Sequence, residues 1–527
     1  MMNFTMNTKS LLTCAALAAV TGLNAADWSQ WGGAATRNMV SSEKGLPLSF
    51  APGKKLKGSE EIDMATTKNC LWVAKLGSQS YGTPNISNGS IYVGTNNEAP
   101  RNSQINGDRG IVMVFDEKTG KFQWQMVSPK LGAGKVSDWE FLGMCSTPTI
   151  VGDKGYVVTN RCEVVCISAK GLAAGNTGMT DEAKYLAAPD KEGKVQPGIP
   201  GPLDADIIWV YDMRKELGVF PHNIASNYPL VVNGKVYVAT SNGVDWSHSN
   251  IPAPTAPSFV CLDAETGKYV AEMPAEAKVS EHIMHCNWSS PSYAEVNGKP
   301  MIFFAAGDGY VYGLGTADER KEVEKDIYEL PIKFKYDGDP PEYRKGADGQ
   351  PKKYAEFDGP SEFIATPVFA DNKLYVAIGQ DPEHGEGVGM LSCIDVTQTG
   401  DLSGKAVWTF KGLERTISTP AVKDGIVYAA DYTGRLFALD AKTGALLWKF
   451  DTKGHIWASP VVADGKVYIG NEEGELFILA EGKEMKELGH VEFPAPLKGS
   501  VVPANGVLYI ATETHLYAFK EGGTPVQ

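Results

Sequence analysis

Residues 419–448 read TPAVKDGIVYAADYTGRLFALDAKTGALLW, and weaker copies of this phrase recur along most of the 527-residue chain. Thr419 to Val422 form a short strand closed by the two-residue turn Asp424-Gly425, and Ile426 to Ala430 follow as a β-branched and aromatic second strand. The polar turn Asp431-Tyr432-Thr433-Gly434 leads to a third strand, Leu436 to Asp440. Thr443-Gly444 then makes a hairpin in which glycine supplies positive φ, and the fourth strand carries Trp448. A four-stranded antiparallel sheet of this size cannot bury its own faces, so the copies must stack side by side. The unit reads as one blade of an all-β propeller.

The copies can be followed through the chain. Blade one runs from Gly82-Thr83-Pro84 to Trp124, and blade two from Ser146-Thr147-Pro148 to Trp209. In the third, Ala271 stands where tryptophan would, and the fourth ends in a poorly matching strand near Ile332-Lys333-Phe334. Blade five runs from Thr366-Pro367 to Trp408, the sixth is the clean copy, and the seventh begins at Ser459-Pro460. The eighth has VLYIATETHLYAFK and no fourth strand. Cys70 to Leu76 reads as that missing strand, and its pairing with blade eight would remove two exposed sheet edges. The expected architecture is an eight-bladed propeller over 70–520, or seven blades if the fourth or seventh copy is misread.

Composition agrees, with 57 glycines, 31 prolines and 10% aromatic residues. Lys9, the apolar run from Leu11 to Val20 and the small residues at Ala25-Ala26 read as an export signal over 1–26. An N-terminal extension (27–69) and a C-terminal tail (521–527) flank the propeller. The expected location is the periplasm or the external medium. Net charge is −14, and about −15 without the signal, which argues against nucleic acid and anionic membranes as partners. No later apolar run is long enough to span a membrane. A monomer is favoured. Cysteines 70, 145, 162, 166, 261, 286 and 393 lie beyond the signal, an odd number, with Cys162 and Cys166 placed to pair across a hairpin. Cys261 and Cys393 read as small buried hydrophobes.

The additions to the minimal blade fall between second and third strands (96–109, 241–257, 380–389) and between blades (127–144, 213–225, 274–287, 316–363). Both kinds of loop emerge on the same face, so one rim is expected to carry nearly all the extra sequence, and any site. That rim collects His222, His248, His282, His285 and His384, with His455 just before an inner strand. Trp139, Trp246, Trp288 and Trp457 lie in or beside the same loops, where they either pack the loops or offer stacking faces to a planar or sugar-like ligand. Asp245 adjoins Trp246 in this set of ligand-binding candidates. His282-x-x-His285-Cys286 resembles a metal half-site that needs further ligands, such as His222 or His248, but a hydrogen-bonded pair of loop histidines is the favoured reading. Asp381, Glu383, His384 and Glu386 share one acidic turn that could hold calcium, though a solvated turn is the favoured reading. Arg415, just before the inner strand of blade six, suits a carboxylate clamp at the channel mouth or a salt bridge between blades.

The phrases ALDAKTGALLW, FDEKTGKFQW and CLDAETGK resemble the tryptophan-docking repeat of pyrroloquinoline-quinone-type propellers, and the resemblance covers about 70 to 520. Asp27-Trp28-Ser29-Gln30-Trp31-Gly32-Gly33 and GQDPEHGEGVG (379–389) are similar to exported bacterial members with no assigned reaction. The family includes quinoprotein alcohol dehydrogenases. The resemblance to them implies a quinone between a tryptophan and a disulfide of adjacent cysteines, with calcium held by Glu, Asn and Asp. This chain has no adjacent cysteines and no Cys-x-x-Cys-His for haem. More distantly, the repeat is similar to that of the propeller lipoprotein of the outer-membrane β-barrel assembly machinery, a cofactor-free scaffold. The favoured expectation is a cofactor-free exported module that binds a protein, peptide or glycan on the rim. The alternatives are a quinone- and calcium-dependent alcohol or sugar dehydrogenase using Trp457, Trp246, Arg415, Asp381 and His285, or a hydrolytic or lyase chemistry on the same rim. Fold alone does not choose between them.

Overall fold

The turn that closes each inner hairpin shows how local sequence sets the blade. Asp424 and Gly425 hold φ of 48° and 76°, the mirror-image geometry that suits the twist of a two-residue hairpin. The computed structural model describes residues 26–189, 195–196, 198–352, 356–381 and 384–526. The stretch read as an export signal lies, except for Ala26, outside the described residues.

Eight antiparallel sheets form the ring. Blade six is Ala421–Lys423, Ile426–Ala430, Arg435–Asp440 and Leu446–Asp451, hydrogen-bonded in sequence order. Blades one, two, five and seven repeat that order, with blade five ending on Trp408–Phe410. The last blade takes its fourth strand from Cys70–Lys75, which runs antiparallel to His515–Phe519. Blade three is widened by the hairpin Lys321–Glu324 and Ile327–Glu329, and blade four by Gly400–Asp401. Part of the charged stretch 316–363 therefore covers an outer sheet edge and does not sit on the rim.

A second departure from the sequence reading lies in blade two. Its third strand, Glu163–Ser168, and its fourth, Ile207–Asp212, are separated by a long insertion on the face opposite the decorated rim. The rim does not carry nearly all the extra sequence. Cys162 and Cys166 also remain separate thiols, as do the other five cysteines beyond the signal. The Cys162 thiol faces the Thr240 carbonyl of blade three at 3.2 Å, away from its expected partner.

Adjacent blades are locked by a recurring triad. Trp408 in blade five packs beside Tyr375 of its own sheet at 6.0 Å and donates its indole N–H to Ala441 O of blade six at 2.9 Å. Gly444 of blade six lies over the indole face, where a Cβ would come within 2.6 Å of the ring. Trp72, Trp124 and Trp209 meet Gly120, Gly171 and Gly267 of the next blade in the same way. A hydroxyl belt adds a second lock. Thr366 N donates to Thr419 Oγ1, Thr419 N to Ser459 Oγ, Ser459 N to Ser500 Oγ and Ser500 N to Thr83 Oγ1. The Ser/Thr-Pro pairs of blades five, six, seven and one, with Ser500 of blade eight, thus tie these five blades around the channel.

The N-terminal segment crosses the other end of the channel. Trp28 O, Ser29 O, Ala35 O, Thr36 O and Met39 O accept backbone bonds from Ile86, Ile150, Tyr293, Phe369 and Val462, residues of blades one, two, four, five and seven. Fully buried Arg37 donates to Trp31 O, Pro229 O and Pro291 O, and burial lowers its guanidinium to about 9. The channel is thereby closed at the end away from the rim loops.

Candidate functional site

The closed channel leaves a cavity of about 480 Å³ at the decorated end. Its wall takes a contribution from every blade: Tyr81, Cys145, Tyr228, Trp288, Thr366, Thr419, Trp457 and Lys498 in ring order. Trp31 of the crossing segment forms the floor, stacked on Tyr228 at 4.9 Å. The volume lies in the range of small-molecule pockets. A larger groove of about 1300 Å³ runs along the outer strands of blades two and three, and its lining includes ion pairs such as Arg161–Glu163 at 3.1 Å.

The central cavity combines aromatic faces with neutral polar groups. Trp139, Trp288 and Trp457 supply indole surface, with Tyr81 set edge-on to Trp457 at 5.3 Å. Gln79, Asn223, Asn227 and the belt hydroxyls supply donors and acceptors. Lys498 lies 4.6 Å from the centroids of both Tyr81 and Trp457 and pairs with Glu472 and Glu513 at 3.2 and 3.4 Å. Burial opposes its charge, but Tyr81 and the two carboxylates outweigh burial and hold the ammonium above the usual lysine range.

The implied quinone and calcium do not fit these residues. The wall holds one cysteine, Cys145, whose thiol burial pushes up to about 12, so no pair of adjacent sulfurs is available. Asp381 is the one carboxylate among the described residues of the wall, too few acids for a calcium cage.

Behind Trp288 lies the second feature of the rim. Four histidines from four separate loops meet: His222 and His285 have ring centroids 4.4 Å apart, and His248 is 4.8 and 5.0 Å from them. His384 is 4.8 Å from His248 and 4.7 Å from His285. The backbone explains the convergence. Pro221 and Cys286 each bridge to the loop at Asn242 and Gly243, and Val244 N donates to His285 O at 2.9 Å. Gly243 permits this approach, since a Cβ there would lie 2.6 Å from His222 Cβ and 2.7 Å from His285 O. His222 Nδ1 donates to Val244 O at 2.7 Å, and His285 Nδ1 to Gln380 Oε1 at 3.0 Å, with Glu362 3.6 Å behind it. Burial lowers His222 and His384 to about 4 and His285 well below the usual range, so these rings are neutral near pH 7.

The remaining candidates divide between these features and the surface. Asp381 and Trp139 line the cavity, and half-exposed Trp246 covers Trp139 at 6.1 Å. Asp245 turns its own loop, accepting from Ser247 and Asn250, and the Ser247 and Asn250 side chains hold its carboxyl down at about 2. Arg415 is buried beneath the 380–389 loop, where it donates to Ser361 Oγ and His384 O at 3.2 and 3.3 Å. His455 stacks on Tyr432 at 4.3 Å with Glu386 3.7 Å away, outside the histidine cluster. His282 is exposed and apart from the cluster, and Glu383 lies outside the described residues. Sequence reasoning missed Trp31, Tyr81, Tyr228 and Lys498. Only the Ser/Thr-Pro register, which places the residue three before the proline at the channel, could have pointed to Tyr81.

Residues 389–483 match the family model of PQQ-like repeats described as outer membrane protein assembly factor BamB. This is a β-propeller built on the PQQ-like repeat. Among solved structures, BamB from Moraxella catarrhalis is similar at 13% identity and a TM-score of 0.50, covering 86% of this chain and 99% of that one. A europium-containing methanol dehydrogenase is similar at 12% identity and a TM-score of 0.48, covering 94% and 98%. The quinohemoprotein alcohol dehydrogenase from Comamonas testosteroni follows at 15% identity and 0.43, covering 95% and 82%. No curated protein sequence matches the chain. The BamB likeness, at this identity, speaks for the shared fold. Among the described residues, no helix is long and apolar enough to cross a membrane.

Proposed function

We propose that this PQQ-like propeller is an exported binding module, without bound quinone, that holds a neutral saccharide, such as the end of a glycan, in the cavity on its loop-rich face. The observation that carries the reading is the cavity lining itself: four indoles and two tyrosines interleaved with hydroxyl and amide groups. Sugar rings present apolar C–H faces to aromatics and hydroxyl edges to polar groups, so such a wall suits them. Lys498 is already neutralised by two glutamates, which removes the cationic attraction an anionic ligand would use. A single wall cysteine and a single described wall carboxylate favour this reading over the quinone-dependent dehydrogenase. Export is consistent with the cysteine chemistry, because six of the seven free thiols are buried and resist oxidation.

A glycan array probed with labelled protein, wild type and Trp457→Ala, tests the proposal. Retention of neutral glycans by wild type, lost in the variant, supports it. Retention of peptides or protein baits alone, or identical patterns for both proteins, would contradict it. A parallel sample incubated with pyrroloquinoline quinone and calcium is expected to show no bound chromophore and no dye reduction with alcohols or aldoses.

A further inference from the structure

We propose that His222, His248 and His285 form a binding site for a divalent first-row transition ion, zinc or copper, behind the wall of the central cavity. One nitrogen from each of the three lies within 4.8 Å of the other two. A tetrahedral ion with bonds of about 2.0–2.1 Å needs donors roughly 3.3 Å apart, a contraction that modest ring rotation supplies. The donors are imidazoles, which suit zinc and copper and not calcium or magnesium.

The tautomers favour this use. His222 and His285 each spend the Nδ1 proton on a fixed acceptor, Val244 O and Gln380 Oε1. Each Nε2 is then an unprotonated lone pair, and both atoms are buried without a hydrogen-bond partner. A buried acceptor left unpaired is costly unless something occupies the space between. A carbonyl or carboxylate behind the far nitrogen is also the usual support for a metal-bound histidine, and Glu362 stands 3.6 Å behind His285 Nδ1. His384 adds a further buried nitrogen without a partner, its Nδ1, on the open side. A histidine cluster that only packs loops would not require two orphaned Nε2 atoms in fixed tautomers.

The site is independent of the saccharide proposal, so the test reads metal alone. Tag-free protein stripped with chelator is titrated with Zn(II) and with Cu(II) by calorimetry, and Co(II) is added separately to read its visible absorption. The expected result is one Zn(II) or Cu(II) per chain and cobalt bands of tetrahedral or five-coordinate intensity. His285→Ala and His248→Ala should each weaken binding at least about 100-fold, and Glu362→Gln by roughly 10-fold, as outer partners do. His282→Ala, outside the cluster, should bind as wild type. Thermal unfolding of each variant without metal monitors folding, and half-buried His248 provides a usable variant if His285→Ala fails to fold. No binding of either ion at micromolar concentration, or unchanged affinity in both cluster variants, would overturn the proposal.

Discussion

Two glycines of the clean repeat separate backbone strain from interblade packing. Gly444 and Gly425 hold φ of 71° and 76°, so alanine at either position is placed in the left-handed region at a cost of about 1–2 kcal/mol. They differ in surroundings. A Cβ at Gly425 meets nothing within 4 Å, whereas at Gly444 it would sit 2.6 Å from two carbons of Trp408. Ordinary carbon contacts are about 3.5–4.0 Å, so the indole must retreat by about 1 Å. Its N–H bond to Ala441 O and its contact with Tyr375 resist that movement. Overpacking of this kind adds about 1–3 kcal/mol. Gly444→Ala should therefore lose about 2–5 kcal/mol and Gly425→Ala only about 1–2, read from urea midpoints at a common slope. In a Trp408→Ala background, itself costing about 3–5 kcal/mol, Gly444→Ala should fall to the cost of Gly425→Ala. Equal losses for the two glycine variants in the wild-type background would refute the docking account of the repeat.

Other consequences are open to similar tests. Arg37→Ala leaves three buried carbonyls without their donor and should destabilise the protein by at least about 3 kcal/mol. Limited proteolysis should then cut within 28–41 first. Buried Asp308 is raised by desolvation to about 6, above the ordinary aspartate value of 3.8, so the folded state retains its proton more tightly than the unfolded chain. Its contribution therefore turns unfavourable as pH rises from about 4 to 6. Asp308→Asn should gain roughly 2 kcal/mol more relative to wild type at pH 7 than at pH 4.5, by urea titration at both values. Lys498→Met leaves Glu472 and Glu513 without their shared cation, and should shift the urea midpoint downward by about 1–3 kcal/mol equivalent.

The blades were legible because their signals are local. A two-residue Asp-Gly turn, a strand of IVYAA and a tryptophan at a fixed offset each act within thirty residues, and they recur. The locks between blades were half legible. Trp408 and Gly444 stood out in the repeat, but the Ala441 carbonyl and the Thr419 hydroxyl acquire partners only once a neighbouring blade is in place. The departures have a common cause. The insertion after Ser168 and the hairpin Lys321–Glu329 contain no repeat phrase, so nothing in them specifies a face of the ring. The site shows the same limit. His285 was visible beside His282, but the two diverge, and its actual neighbours are His222, His248 and His384 from other loops. Arg415 was placed at the channel mouth by its register, whereas it is buried and spends its hydrogen bonds on Ser361 Oγ and His384 O.

The most direct test of the binding account is a crystal structure of the protein with the best-retained neutral saccharide from the array. The account predicts one sugar ring in the central cavity, its apolar face against Trp457, Trp288 or Trp139 and its hydroxyls on Asn223, Asn227 or the Ser/Thr belt. A saccharide bound in the groove along blades two and three, or on the outside of the loops with the cavity unchanged, would contradict it.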